Sequence, residues 1–178
     1  MKSEVTVRFA DKKDANLIAE LGRETFNDAF VDNPLMPSAD LKKYLEEAFT
    51  ISQITAELVD PKAIFLLAEI DFEPVGYAKL VANCFEPGIS GKKPIKLKRL
   101  YSKHEFIGKG IGAALMKRCL VEASALKHDM IWLTVWEHNQ RAQRFYRKWN
   151  FEPCGSINFW LGRTILTDVL MQRAVVNL

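Results

Sequence analysis

Three glycines at alternate positions, Gly108, Gly110 and Gly112, lie between a predicted strand and a predicted helix. Residues 95–101 alternate apolar and polar side chains, and the segment after the glycines repeats apolar residues at helical spacing. Such a turn leaves the first backbone N–H groups of the helix unpaired, at the positive end of the helix dipole. The stretch therefore predicts a strand–loop–helix unit with an anion site suited to a phosphate.

Known phosphate-binding loops narrow the kind of ligand. The pattern G-x-x-x-x-G-K-[ST] of a P-loop is absent. The spacing matches the dinucleotide fingerprint G-x-G-x-x-A, but that motif places its first glycine directly after a strand. Here several residues separate Tyr101 from Gly108, which disfavours a dinucleotide site. A flexible surface loop is the plain alternative.

The rest of the chain gives alternating strand and helix signals. The run 131–136 is apolar on both faces, which predicts a central strand. Strands grouped early and late, with helices between them, predict an α+β fold with a mixed sheet, and 178 residues suit one domain over residues 1–178. Strands are predicted at 5–9, 63–68, 75–81, 95–101, 131–136, 151–160 and 165–175, and helices after Asp11 or Asp14, after Ser38 as N-cap, at 52–59, from the loop to about 127, and at 139–149.

Composition and cysteine usage exclude several classes of protein. The net charge of +3 is too small and too scattered to indicate nucleic-acid binding. No apolar run approaches the ~20 residues of a membrane span, and the N-terminus lacks the apolar stretch of a signal peptide. Three widely spaced cysteines (Cys84, Cys119 and Cys154) form neither a metal-binding spacing nor a disulfide framework. We therefore expect a cytoplasmic protein without a metal.

Two motifs in order carry a family resemblance. The first is Ile107-x-x-Gly110-x-Gly112 at a helix start, and the second is Asn139 followed by Phe145-Tyr146-Arg147-Lys148-Trp149-Asn150-Phe151. Together they resemble the core of the GNAT superfamily of acetyl-CoA-dependent N-acetyltransferases. Two residues depart from the family pattern: Ile107 replaces an Arg or Gln, and Asn150 replaces a Gly. Asn is the next best residue for a left-handed helix end.

The resemblance implies a mostly antiparallel central sheet flanked by helices, with a splay between the fourth and fifth strands for the pantetheine arm. It implies acetyl-CoA as co-substrate and direct transfer to a small-molecule amine. Backbone groups at the end of the fourth strand would bind the pantetheine, and one N–H would polarise the thioester carbonyl. The implied cofactor-binding residues are Leu100, Tyr101, Ser102, Ile107, Gly108, Lys109, Gly110, Ile111, Gly112, Ala113 and Asn139.

Amine acetylation requires two proton transfers, and Tyr146 is the candidate for one of them. An alkylammonium must lose a proton, at a cost of roughly 4–5 kcal/mol at neutral pH, and the leaving thiolate gains from receiving one. Helical spacing places Tyr146 near the face of Asn139, whereas Ala142, Phe145 and Trp149 form an apolar stripe. We therefore expect that Tyr146 is not needed for packing and that, as the resemblance implies, it protonates the thiolate. The plain alternatives are a tyrosine at the helix rim and a capping role for Asn139.

The general base stays open among several residues. Many relatives place a Glu on the fourth strand, but Lys96 and Lys98 occupy those positions here. The remaining candidates are Glu24, Asp28, Glu69, Glu137, His138 and water.

The resemblance implies that the first two helices and the segment that joins them border the acceptor site. Acids (Glu24, Asp28, Asp32 and Asp40) lie near aromatic side chains there, which suits a polycation, although a solvated helix face is the plain alternative. Segments around Phe26, Tyr44, Trp136 and Thr167-Asp168 resemble bacterial spermidine/spermine N-acetyltransferases of the Pai type. We expect Glu24, Phe26, Asp28 and Trp136 to bind a polyamine. Acetylation of a protein or peptide α-amine and a non-catalytic CoA-sensing module are the alternatives, and a homodimer is left open.

Overall fold

The computed structural model describes residues 4–176. One seven-stranded sheet runs through this part of the chain, with helices on both faces. Its strands are Val5–Phe9 (β1), Ala63–Ile70 (β2), Glu73–Ala82 (β3), Pro94–Ser102 (β4), Met130–Trp136 (β5), Glu152–Leu161 (β6) and Thr164–Ala174 (β7). The helices are Ala15–Phe30 (α1), Ser38–Ala48 (α2), Ile51–Leu58 (α3), Ile111–Ala125 (α4) and Gln140–Lys148 (α5).

The order of strands in the sheet is β1-β2-β3-β4-β5-β7-β6. Neighbours pair antiparallel except β4 and β5, which pair parallel. The predicted mixed, mostly antiparallel α+β sheet is confirmed. The run predicted to be central lies in β5, between β4 and β7, because strands that are apolar on both faces need helices above and below.

Most helix ends follow their predicted signals. The Asp11 side chain caps a short 3₁₀ turn that leads into α1, and Asn139 caps α5 by accepting the Ala142 N–H at 3.0 Å. Asn150 has φ 62°, as a left-handed helix end requires. Ser38 was wrongly predicted as an N-cap: Pro37 holds that position, and no side chain caps α2.

Two apolar cores pack on opposite faces of the sheet. The first lies under α4, whose predicted inner stripe is buried throughout: Ile111, Leu115, Met116, Cys119, Leu120 and Ala123. The second lies under α1, α2 and α3 and includes Ile18, Phe26, Phe49 and Tyr77. The sheet therefore separates a face covered by α4 from a face covered by the first three helices.

An irregularity in β4 opens the middle of the sheet. The pairing with β3 joins Lys79 to Arg99 and Leu80 to Leu97, so that Lys98 has no opposite residue and forms a bulge. On its other side, β4 pairs with β5 at only three positions, all before the bulge, from Pro94–Met130 to Lys96–Trp132. From Leu97 onward the two strands diverge, which confirms the expected splay. The side of β4 that faces β5 is therefore left unpaired over its second half.

No helix within residues 4–176 is long and apolar enough to cross a membrane.

Candidate active site

A cavity of about 570 Å³ lies where β4 and β5 diverge. At one end it is bordered by Ile107 and by Asn139 and Tyr146 of the α5 region. At the other end it is bordered by side chains of α1, α2 and the β6–β7 hairpin. The cavity therefore extends from Ile107, at the edge of the glycine loop, to aromatic side chains of the first two helices and the terminal hairpin.

The glycine loop adopts the conformation that its sequence predicts. Gly108 and Gly110 have φ values of +82° and +93°, which L side chains rarely adopt, although open space surrounds both Cα atoms. Gly110 is the N-cap of α4, and the first intrahelical bond runs from the Ala114 N–H to the Gly110 carbonyl at 2.9 Å. The N–H groups of Ile111, Gly112 and Ala113 therefore have no acceptor within the helix and are available to bind an anion.

The residues of the loop differ in their distance from the cavity. Ile107 borders it, whereas the stretch from Gly108 to Ala113 lies beyond the cavity wall at the start of α4. Lys109 places its ammonium 5.1 Å from the Phe106 ring centroid. Gly112 is helical, and a Cβ there would meet Phe145 at an ordinary contact distance of 3.5 Å, so its missing side chain is not required for space.

The end of β4 forms one wall of the cavity. Leu100, Tyr101 and Ser102 border it, and their backbone pairs with β3 on one side, where Tyr101 lies opposite Tyr77. The other side of this segment faces the gap that β5 leaves. An extended ligand in the gap would therefore meet unpaired backbone donors and acceptors.

Tyr146 borders the cavity and also packs in the core. Its ring lies 5.4 Å from that of Phe145 and 5.9 Å from that of Phe151, and it joins the core under α4. The prediction that Tyr146 is not needed for packing was therefore wrong, because α5 presents Gln143 and Tyr146 inward together with its apolar stripe. Burial raises the pKa of Tyr146, so its hydroxyl stays protonated at neutral pH.

Aromatic side chains enclose the other end of the cavity. The Phe26 ring lies 4.7 Å from both Phe30 and Tyr44, Phe30 lies 6.0 Å from Trp136, and Tyr44 lies 5.7 Å from Phe159. Two of the predicted acceptor residues, Phe26 and Trp136, are thus in contact with one aromatic chamber. The other members of the chamber, Phe30 on α1, Tyr44 on α2 and Phe159 on β6, were not among the predicted acceptor residues.

Few of the predicted acids reach the cavity. Asp28 borders it, whereas Glu24 lies on the exposed face of α1 and is not part of the cavity wall. Asp40 accepts hydrogen bonds from the Arg163 N–H at 3.3 Å and the Thr164 hydroxyl at 2.9 Å, which joins α2 to the terminal hairpin. The structure therefore does not gather the acids of the first two helices into one cluster.

The other candidate bases divide in the same way. Glu69 pairs with the Arg8 Nε at 3.0 Å, away from the cavity, and Glu137 is also outside its wall. His138 borders the cavity and stacks edge-on against Trp136, with 5.1 Å between ring centroids.

Asp168 on β7 is the acid that the sequence analysis did not assign to the site. It borders the aromatic end of the cavity and lies opposite Trp136 in the β5–β7 pairing. Burial raises its pKa to about 6, while the Thr134 hydroxyl and the Lys96 ammonium limit the rise. The sequence signal that could have found it is the alternation of β7: Leu166, Asp168 and Leu170 share one face of the strand, and an acid between two buried leucines is unusual.

Positive charge lines the cavity near β4. Lys96 is half-buried, with its ammonium 4.5 Å from the Trp132 ring centroid, and burial lowers its pKa. Arg99 is buried and pairs with Glu57 at 2.7 Å. Within residues 4–176 no group of three or more His, Cys, Asp or Glu side chains is arranged to hold a metal ion.

Comparison with known proteins agrees with this geometry. The chain matches the Acetyltransferase (GNAT) family over residues 23–151. An uncharacterized N-acetyltransferase of Mycobacterium tuberculosis is 31% identical over 163 residues, covering 92% of this chain and 99% of that protein. Another, from the pepI 3' region of Lactobacillus delbrueckii, is 28% identical over 166 residues, covering 93% and 94%. The crystal structure of the PaiA N-acetyltransferase from Thermoplasma acidophilum, in complex with coenzyme A, is similar with a TM-score of 0.77 and 19% identity, covering 96% of this chain and 99% of that one. The chain therefore belongs to the acetyltransferase (GNAT) family.

Proposed function

We propose that the protein transfers the acetyl group of acetyl-CoA directly to a primary amine inside the cavity between β4 and β5. The observation that carries this proposal is the continuity of the cavity, which runs from Ile107, in the loop that precedes α4, to an aromatic chamber with carboxylates. A donor in the splay and an acceptor in the chamber would meet beside Tyr146, with no need for a covalent enzyme intermediate.

Several segments of the chain are suited to bind the acetyl donor, acetyl-CoA. The unpaired N–H groups of Ile111, Gly112 and Ala113 suit a pyrophosphate, with Lys109 and the glycines beside them. The free side of β4 at Leu100, Tyr101 and Ser102 suits the amides of a pantetheine arm, and one N–H there polarises the thioester carbonyl. The Asn139 side chain already caps α5, so its contact with the arm is secondary. The similar PaiA structure, which holds coenzyme A, supports this placement.

Tyr146 is the proposed general acid. Its hydroxyl stays protonated because burial raises its pKa, and it borders the cavity beside Asn139 and Ala142. Acetyl-CoA supplies an activated thioester, whose sulfur leaves as a thiolate. A phenol at the sulfur gives that thiolate a proton and favours collapse of the adduct toward products.

A polyamine is the proposed acceptor. Two carboxylates, Asp28 and Asp168, border the same chamber, and its aromatic walls (Phe26, Trp136) suit methylene chains and cation–π contacts with ammonium groups. Glu24, one turn before Asp28 on α1, does not border the cavity. Lys96 and Lys98 on the opposite wall disfavour further positive charge, so we expect a short polyamine such as spermidine to be preferred over longer ones.

Thiol release from acetyl-CoA tests the proposal. The purified protein is incubated with acetyl-CoA and one amine at a time: spermidine, spermine, phenylethylamine, lysine or a peptide with a free α-amine. Release that depends on spermidine is the expected result. Release with the peptide alone would instead identify a peptide α-amine acetyltransferase. Acetyl-CoA binding by calorimetry without release from any amine would contradict transfer and favour a CoA-sensing module.

A further inference from the structure

We propose that Asp168 is the base of the reaction: its carboxylate binds the ammonium group of the acceptor and removes a proton from it. This inference rests on the proposed transfer to an amine. It assigns the general base, because Lys96 and Lys98 occupy the positions on β4 where many relatives have a glutamate.

The position of Asp168 supports this role. Its neighbours on the same face of β7, Leu166 and Leu170, are buried, so the carboxylate is the polar group on an apolar wall. Across the strand pair lies Trp136, and the chamber is closed by Phe30 and Phe159. An ammonium group that enters the chamber therefore leaves water and meets the Asp168 carboxylate among aromatic rings, where the ion pair is strong.

The charged groups around Asp168 give it a pKa useful for a base. Lys96 faces it from β4, the Thr134 hydroxyl from β5, Glu137 from the end of β5 and Tyr44 from α2. Burial and Glu137 raise its pKa to about 6, and the Lys96 and Thr134 contacts prevent a larger rise. The carboxylate is thus ionised at neutral pH, yet it accepts a proton more readily than an exposed carboxylate does.

The other candidate bases are less well placed. Glu24, Glu69 and Glu137 do not border the cavity. Asp28 borders it but is exposed on α1, so water screens its charge. The His138 side chain is 58% exposed, with the Glu137 carboxylate 3.8 Å from its Nε2. Asp168 alone among these side chains combines contact with the cavity, burial and negative charge.

The proposed step balances in protons and electrons. The ammonium gives one proton to a carboxylate oxygen of Asp168, and the neutral amine forms the C–N bond to the thioester carbonyl carbon. The C–S bond then breaks with its electron pair on sulfur, which takes a proton from the Tyr146 hydroxyl. The nitrogen loses its second proton, which restores Tyr146, and Asp168 releases its proton to solvent. The products are an amide, a thiol and one proton.

The test compares the pH dependence of kcat/KM for the wild type and Asp168→Asn, with spermidine and with phenylethylamine. Asparagine keeps the size of the side chain but cannot accept the proton. We expect kcat/KM to fall by about 100-fold at neutral pH. The wild type loses activity as the pH falls through about 6, and this acidic limb is absent in the variant. The deficit narrows as the pH approaches the pKa of the amine, because the free amine then forms in solution.

Two controls keep the result interpretable. Asp71→Asn makes the same change on the exposed β2–β3 turn and leaves the profile unchanged. A wild-type profile without an acidic limb near the pKa of Asp168, or an Asp168→Asn profile that retains it, overturns the role of Asp168 and leaves amine transfer standing.

A second measurement separates this inference from the proposed function. If the wild type releases no thiol with any amine, the proposed function is contradicted. Calorimetric titration of the CoA-bound protein with spermidine then tests Asp168 on its own. A loss of about tenfold or more in spermidine affinity in Asp168→Asn supports the ammonium site, and equal affinity in both proteins overturns it.

Discussion

Tyr146 combines packing with proposed chemistry, and the two contributions can be separated by removing one oxygen atom. In Tyr146→Phe the ring still contacts Phe145 and Phe151, so we expect the fold and the affinity for acetyl-CoA to be unchanged. Loss of the proton donor should lower kcat by about 100-fold. Steady-state kinetics and calorimetry with acetyl-CoA measure both quantities.

Tyr77→Phe is the matched control for that variant. The Tyr77 hydroxyl is buried and has no hydrogen-bond partner in the described part of the chain. Its removal relieves a desolvated polar group and should leave kcat at the wild-type value and the protein at least as stable. A kcat near the wild-type value in Tyr146→Phe as well would exclude the proton-donor role.

The Lys96 ammonium faces Asp168 and stabilises its ionised carboxylate, which lowers the pKa of Asp168. Lys96→Met keeps an apolar chain over the Trp132 ring but removes the charge. The pKa of Asp168 should then rise, and the acidic limb of the kcat/KM profile should move to higher pH. Lys98→Met, at the exposed bulge, should move it less. A limb that stays in place in Lys96→Met would show that the titrating group is not Asp168.

At the scale of the element, the turn before α4 depends on glycine for its backbone conformation. Gly110→Ala places a side chain at φ +93°, which should cost about 1–2 kcal/mol of unfolding free energy and weaken acetyl-CoA binding. Gly112→Ala, two residues later in the helix, should not destabilise the protein, since alanine is the better helix former by about 1 kcal/mol. Urea denaturation of both variants measures the difference; an equal loss in both would contradict this account.

The elements were largely predictable from the sequence because their signals are local. The inner stripe of α4 and the buried runs of β2 and β5 follow directly from periodicity. The bulge at Lys98 was not predictable: simple alternation places Lys96 and Lys98 on one face, whereas the bulge leaves Lys96 on the face of Arg99. The candidate cofactor-binding residues around the glycine loop and the candidate acid Tyr146 could be named because each belongs to a motif in one short, continuous stretch of sequence.

The aromatic chamber and Asp168 could not be predicted in the same way. Their side chains come from α1, α2, β5, β6 and β7, and the tertiary packing of these elements decides which of them meet. Glu24 and Asp28, for example, share one exposed face of α1, and of the two Asp28 alone, one turn nearer the C-terminal end of the helix, borders the cavity. Sequence spacing gives the relative angle of the two acids on the helix but not the direction of the sheet.

At the scale of the whole molecule, a buried ionic cluster attaches α3 to the sheet. Glu57 accepts contacts from Lys79 at 2.8 Å and Arg99 at 2.7 Å, and all three side chains are largely buried. Glu57→Gln leaves two buried cations without their counter-charge, which should cost about 3–5 kcal/mol of unfolding free energy. Urea denaturation followed by circular dichroism and by tryptophan fluorescence measures the loss.

The same experiment tests the one-domain prediction and has an internal control. Glu46→Gln removes an exposed carboxylate 3.9 Å from Lys42 and should change stability by less than about 0.5 kcal/mol. The wild type should unfold in one transition that both probes report identically, because all seven strands share one sheet. Two separate transitions would contradict a single domain, and equal stability of both glutamine variants would contradict the cluster.

The short pairing of β4 with β5 also affects how the chain avoids aggregation. A strand with unpaired N–H and C=O groups on one side normally invites a strand from another molecule, and proteins protect such edges with charges or by covering them. Here the unpaired side of β4 lies in the middle of the sheet, with β5 beyond the gap and helices on both faces. A foreign strand has no lateral approach to it, whereas a narrow flexible molecule can enter from the end of the gap. The fold thus leaves a row of unpaired backbone N–H and C=O groups accessible to a small ligand but inaccessible to the strands of other polypeptides.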